Sequence, residues 1–309
     1  MSRPARPLQK IACIGEVMIE LATGPDGHST VGVAGDTYNS AVYMARLLKQ
    51  CEVRVSYVTA LGTDPYSERI LAAMRSHDLG TDHVERRSNR VPGLYAIDTD
   101  DEGERSFTYW RSASAARTLF TEPCAVPLAT LSEFDLVVLS GITMAILPTE
   151  MRQRVIKQID RFRASGGTFA YDSNHRPALW ESVQAAREIN TAMWARADIA
   201  LPSVDDEIRI YGDVDEEAVV ARLQDTGVRS GALKRGAAGP LSLTDGATLT
   251  GPIDSVRVVD STSAGDSFNA GYLVGIIQGQ DPQMAMRMGH DLAAKVVQHR
   301  GAIIPSDAM

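Results

Sequence analysis

Short apolar runs, most of them ending at a glycine or a polar cluster, alternate along this chain with longer stretches whose apolar positions recur at helical spacing. The runs occupy residues 11–15, 55–62, 136–141, 168–172, 199–201 and 228–234. Between them, residues 39–50 carry Val42, Ala45 and Leu48 at helical spacing, and residues 149–164, 183–195 and 216–224 behave similarly. Late in the chain Phe268, Tyr272 and Ile276 recur with Leu273 and Ile277, and Gly279 marks a stop. Strands interleaved with helices predict a largely parallel sheet covered on both faces, a doubly wound α/β fold. Ligands of such sheets bind beyond the carboxyl ends of the strands, so the loops that follow strands are the places to search.

Residues 91–111 break the rhythm. Two strand-like runs flank the acidic turn Asp100-Asp101-Glu102-Gly103 and predict a β-hairpin, with Phe107, Tyr109 and Arg111 on one face of the return strand. A two-stranded ribbon is marginal alone, which predicts pairing with further strands or a partner subunit, as a lid or an interface.

The chain has 309 residues, enough for a sizeable core, and the expectation is one main domain with an appendage. Its formal net charge of -8 argues against a general binder of nucleic acid, though a few converging arginines can still hold a small anion. Cys13, Cys51 and Cys124 are widely spaced, without a C-x-x-C pair, and read as reduced thiols. No apolar run reaches transmembrane length and residues 1–10 lack the apolar core of a signal peptide, so the expected compartment is the cytoplasm.

The richest segment for chemistry is 260–271. Thr262, Ser263, Ala264 and Gly265 let backbone N–H groups approach a ligand, and the helix that follows supplies the positive end of a dipole. Asp266 falls on the first turn, either as an ordinary cap or as a base beside a bound phosphate. No P-loop and no G-x-G dinucleotide fingerprint is present. Lys234-Arg235-Gly236-Ala237-Ala238-Gly239 follows an apolar run and reads as a hairpin turn or as a loop against a nucleotide. Gly35, Asp36 and Asn39 precede or open a helix and suit sugar hydroxyls, or serve as turn and cap. Asp172-Ser173-Asn174-His175-Arg176-Pro177 closes a strand with clustered polar groups.

Taken together, Ala34-Gly35-Asp36-Thr37-Tyr38-Asn39 and the late Asp260–Asp266 segment resemble the motifs of the ribokinase-like (PfkB) carbohydrate kinase family, and the likeness spans nearly the whole chain. Residues 15–21, 92–95, 109–111, 172–180, 272–273 and 300–305 are similar to the branch that acts on 2-keto-3-deoxy acid sugars. The resemblance implies a β lid contributed by about 16–34 and 91–111 on a single kinase domain. It implies ATP-dependent phosphorylation of the terminal primary hydroxyl of 2-keto-3-deoxygluconate, with Asp266 as base and the Ala264 and Gly265 amides as an anion hole. Gly35, Asp36, Asn39, Tyr95, Tyr109, Arg111, Arg176 and Asp260 are then expected at the sugar, where two arginines suit a carboxylate. Ser203, Lys234, Gly236, Gly239, Gly265 and His290 are expected at ATP, with Mg2+ bridging its phosphates and Asp206 acting on the metal indirectly. Association of two copies through the lid is a further expectation. The chain departs from the family pattern at Ala34 for the first Gly of the early motif, at Ser261 and Ser263 for a Thr and a Gly of the late one, and at Ser203-Val204-Asp205-Asp206 where the family has Asn-x-x-Glu. The alternatives are another sugar kinase of the same fold, acting on fructose, ribose or 2-keto-3-deoxygalactonate, or a non-catalytic sugar-binding module on that fold.

Overall fold

The computed structural model describes residues 6–24, 27–99, 105–253 and 255–309. Six parallel strands form the main sheet: β1 (Lys10–Ile14), β4 (Arg54–Leu61), β5 (Val84–Arg86), β8 (Leu136–Ser140), β9 (Thr168–Asp172) and β10 (Ile199–Ala200), in the order β10-β9-β8-β1-β4-β5. Ile11, Ala12, Cys13 and Ile14 are buried on both faces, which is what a central parallel strand requires. Chain direction across the sheet reverses between β1 and β8, so a crevice opens beyond the carboxyl ends of those two strands.

Helices α1 (Asp36–Leu47), α2 (Pro65–Ser76), α3 (Gly141–Ile146), α4 (Thr149–Ala164), α5 (Val183–Trp194), α6 (Val204–Tyr211), α7 (Glu216–Thr226), α8 (Ala264–Ile277) and α9 (Pro282–Val296) cover the sheet. Their ends follow local chemistry. Asp64 accepts from the Tyr66 and Ser67 amides and Pro65 opens α2, while Asp281 accepts from Met284 N–H and Pro282 opens α9. Gly212 and Gly227 close α6 and α7 in the left-handed conformation.

The second sheet is built from β2 (Met18–Thr23), β3 (Ser29–Ala34), β6 (Gly93–Thr99) and β7 (Arg105–Trp110), in the order β3-β2-β6-β7. β2 pairs parallel with β6, and the other two pairings are antiparallel. β6 and β7 are the two arms of the anticipated hairpin, whose acidic turn lies outside the described residues. The extra strands that a lone ribbon needs come from residues 18–34 of the same chain.

One anticipated strand is corrected. Residues 228–234 yield only β11 (Ala232–Leu233), which pairs antiparallel with β12 (Leu241–Ser242), while the flanking Gly231 and Lys234 make single bridges to Ala200 on β10 and to Ser203 beyond it. Gly231 explains the break: at φ 127° it lies against β10 so closely that a side-chain carbon would stand 1.8 Å from Ala200 O. The helix expected over 39–50 begins earlier, at Asp36.

α8 is buried along Ser267–Gly275 and packs between α1 and α9, so it behaves as a core helix rather than a surface one. Gly271 allows the closest approach: a side-chain carbon there would lie 2.4 Å from Met288 O on α9. Gly271→Ala should therefore push the two helices apart and lower unfolding stability by about 1–3 kcal/mol, read as the shift in a denaturant midpoint.

Candidate active site

α1 and α8 bring the two ends of the sequence motifs together. Asn39, one turn into α1, accepts from Gly35 N–H at 3.3 Å through its side-chain oxygen and donates through its nitrogen to Asp266 Oδ2 at 2.8 Å. Ser40 adds a second tie, its hydroxyl donating to Asp266 O at 2.9 Å. Gly35 must be small because a side-chain carbon would stand 2.3 Å from Glu16 O. Asp266 is the third residue of α8 and does not cap it. The N-cap is Ser263, which adopts a left-handed backbone at φ 66° and makes no side-chain cap bond. A non-glycine there costs about 1 kcal/mol, so local strain is concentrated at the start of the helix that presents Asp266.

Asp36, the first residue of α1, stands opposite. Its Oδ2 accepts from Ser140 Oγ at the end of β8 and from Asn174 Nδ2 at 3.3 Å, beyond the end of β9. Asp36 and Asp266 are surrounded by protein yet keep a face open to solvent, as groups on the floor of a cleft do. Burial raises the Asp36 pKa, against hydrogen bonding from Ser140 and the charges of Arg111 and Arg176. Burial, then the charge of Asp36, pushes Asp266 up to about 7, with the Asn39 hydrogen bond and Lys234 pulling the other way. A carboxylate poised near neutrality is a serviceable general base.

Lys234, just after β11, reaches the same floor. Its ammonium donates to Asp172 Oδ2 at 2.5 Å and to Asn269 Oδ1 at 3.1 Å, and Asn269 donates back to Asp172 Oδ2 at 2.6 Å. It lies 3.6 Å from the point where a side chain on Gly265 would begin. The α8 N-terminus beside it is otherwise unobstructed at Gly265, so the surroundings fit a phosphate group. The loop after Lys234 is a tight turn, Gly236–Ala238, anchored by Arg235 to Glu216 and to the carbonyls of Ala238 and Gly239.

On the other side, the second sheet carries the aromatic and cationic candidates. Tyr95 is buried and donates to Glu20, and it stacks on Tyr109 with ring centroids 5.7 Å apart. Tyr109 is half exposed, with the Arg111 guanidinium 5.9 Å from its ring centre. Arg111 is itself buried and donates through Nη2 to Glu16, which is buried as well. The Glu16 partner carried no distinctive signal in the sequence and was not anticipated. Arg176 is exposed, is held by a 2.9 Å bond to His175 O, and has no ion pair among the described residues.

Four further candidates lie on other elements. Asp260 is buried, with one carboxylate oxygen accepting from Thr262 N–H at 2.9 Å and the other from Gly301 N–H at 2.6 Å. That makes it a clamp on the approach to α8. Ser203 is the N-cap residue of α6 and Asp206 lies on the first turn; of the acids there, Glu207 alone turns fully inward, to Arg222 at 3.0 Å. His290 is half-buried on α9, and burial lowers its pKa. Among the described residues no group of three or more His, Cys, Asp or Glu forms a metal cage, and no helix is long and apolar enough to cross a membrane.

A crevice at a sheet switch point, a near-neutral carboxylate on a helix start and a cation beside it define a site for group transfer to a hydroxyl. The chain belongs to the pfkB family of carbohydrate kinases, whose model matches residues 8–309. It is 42% identical over 307 residues to the 2-dehydro-3-deoxygluconokinase of Dickeya dadantii (strain 3937), covering 97% of this chain and 98% of that one. The enzyme of the same name from Escherichia coli (strain K12) is 41% identical over 307 residues, with 97% and 99% covered. Among solved structures, the PfkB protein from Polaromonas sp. JS666 superposes with a TM-score of 0.81 at 25% identity, over 97% of this chain and 98% of that one.

The raised Asp266 pKa has a stability consequence whose sign is fixed. A carboxyl with a folded-state pKa of about 7 binds more protons folded than unfolded, so it erodes stability as pH rises from about 4 to about 7. Asp266→Asn should therefore stabilise the unliganded protein progressively, little at pH 4.5 and by up to a few kcal/mol at pH 8, measured as the change in denaturation midpoint across that range.

Proposed function

We propose that the protein transfers the γ-phosphoryl group of ATP to the terminal primary hydroxyl of 2-keto-3-deoxygluconate, giving the 6-phosphate. Asp266 carries the reading: a near-neutral carboxylate, held by Asn39 on the first turn of a helix whose N-cap residue makes no side-chain bond to the leading amides. Support for the acid sugar comes from the two arginines near Asp36 and from relatives about 40% identical over nearly the full chain that bear the name 2-dehydro-3-deoxygluconokinase.

In this scheme Asp266 accepts the proton of the attacking hydroxyl, and the Ala264 and Gly265 amides face the charge of the transferring group. Asp36 and Asn39 bind sugar hydroxyls, while Tyr95 and Tyr109 flank the sugar from the second sheet. Arg176, exposed and without an ion pair among the described residues, meets the substrate carboxylate, and Arg111, held by Glu16, completes the cationic side. Asp260 acts through the turn it clamps. Ser203, Gly236, Gly239 and His290 line the nucleotide side. Mg2+ would supply Lewis-acid charge to the ATP phosphates, and Asp206 is the residue that would act on it indirectly. The second sheet excludes water, which would otherwise compete as acceptor. A cytoplasmic location and association through the exposed edge of the second sheet complete the proposal.

Initial rates with ATP and Mg2+ on a panel of 2-keto-3-deoxy acids, fructose and ribose test the substrate; faster turnover of a neutral sugar would overturn it. In the same assay Asp266→Asn should lower kcat by roughly two to four orders of magnitude, and the wild-type kcat/KM should fall tenfold per pH unit below about 7 as Asp266 is protonated. Near-wild-type turnover in the variant would remove the base from the mechanism.

The arginines are separable. Arg176→Ala should raise KM for the acid sugar by about 10–100-fold and leave a neutral analogue nearly unchanged, the usual scale for losing a charge-assisted pair. Arg111→Ala should impair both substrates, because it also strands Glu16 in a buried site. Equal losses of both substrates in both variants would count against carboxylate recognition by Arg176.

A further inference from the structure

Lys234, expected at ATP from the family resemblance, has no role in the scheme above, yet its surroundings are specific. Its side chain is 12% exposed and that of its partner Asp172 is 10% exposed, so the pair sits largely out of water. Asp172 and Asn269 take two of the three hydrogens an ammonium offers, and they also bond to each other, which closes a three-membered ring of contacts. The ammonium hangs over Gly265, whose lack of a side chain leaves that approach clear. A cation against the positive end of a helix is unfavourable unless an anion lies between or beside them, and here Asp172 supplies that anion. Ser263, at the same helix start, has a buried hydroxyl with no hydrogen-bond partner among the described residues.

The route by which Lys234 arrives matters. Lys234 N–H donates to Pro202 O at 2.8 Å and Val204 N–H donates to Lys234 O at 3.1 Å, so the lysine backbone is stitched directly beside Ser203. Ser203 is the position at which this chain has a hydroxyl in place of an amide side chain. The lysine backbone therefore enters beside a position that departs from the family pattern.

We propose that Lys234 is a catalytic residue that exchanges partners: Asp172 and Asn269 hold its ammonium in the unliganded protein, and on ATP binding it turns to the γ-phosphoryl oxygens above Gly265 and stays on them through transfer. This rests on the kinase reading of the site. The bond that breaks joins the γ-phosphorus to the oxygen bridging it to the β-phosphorus, and its electron pair leaves on ADP. The bond that forms joins the γ-phosphorus to the sugar's terminal oxygen, whose proton passes to Asp266. Lys234 keeps its proton throughout and offsets negative charge on the moving group, while Asn269 remains hydrogen-bonded to the released Asp172 carboxylate.

A buried Lys–Asp strut that merely holds the fold makes a different set of forecasts. Lys234→Met should lower kcat by about 10²–10³, the scale for removing one preorganised donor from a developing charge, with KM for the sugar little changed. Asp172→Asn sets the baseline, and the double variant Lys234→Met/Asp172→Asn removes the stranded carboxylate. If Lys234 is catalytic, the double variant regains thermal stability and remains as slow as Lys234→Met; if it is a strut, turnover returns to the Asp172→Asn level, which would overturn the proposal. Calorimetric titration without sugar gives an independent reading: Lys234→Met should weaken ATP about tenfold more than ADP, as loss of a contact to the terminal phosphate requires. Equal weakening of both nucleotides would also overturn it. Should the wild type phosphorylate no sugar on the panel, the kinase reading fails, and the ATP-against-ADP comparison still decides what Lys234 touches.

Discussion

The hydrogen bond from Asn39 to Asp266 is the contact on which the site depends. It joins the first turns of α1 and α8, which are far apart in sequence, and it fixes a carboxylate that burial and the neighbouring Asp36 would otherwise push further toward its neutral form. Asn39 manages this because its amide is used at both ends, accepting from Gly35 and donating to Asp266. Aligning the two helices therefore aligns the Asp266 carboxylate. The cost appears elsewhere, in the left-handed Ser263 and in a cluster of acids that repel one another.

Around that bond the charges are graded. Arg111 is committed to Glu16, Lys234 to Asp172, and Arg176 is left on the rim. Paired cations inside and an unpaired one outside make physical sense for a site that must admit two anionic ligands. The exposed guanidinium meets an incoming carboxylate in water, where its desolvation cost is small, whereas the buried cations need partners when no ligand is present.

Much of the framework is legible in the sequence because each strand of a parallel sheet is a short apolar run and each covering helix has its own period. β9 and α4 coincide with the anticipated bounds, β1 and β4 differ from theirs by one residue at each end, and β8 ends one residue early. The failures have physical causes. β11 is cut short where Gly231 presses on β10, which an apolar run cannot reveal. At the site, residue types in motifs indicate where Asp36, Asn39 and Asp266 converge. They do not disclose pairings made across the fold: Glu16 with Arg111, Lys234 with Asp172 and Asn269, and Asp260 with Gly301. Each of these joins segments remote in sequence, and a lone Glu or Lys carries no mark of its partner.

The second sheet has a mechanical consequence. Its strands are drawn from two separate segments and its central pair, β2 with β6, is parallel, so it cannot move as one hairpin would. The chain passes between the two sheets at residues 15–17, at Gly35, between Arg86 and Gly93, and just after Trp110. Glu16 lies in the first of these crossings and Arg111 in the last, which makes their buried ion pair a pin through the hinge. Any rocking of one sheet over the other must carry that pin intact or shear it in low dielectric. Opening and closing would thereby be coupled to the electrostatics of Arg111 itself.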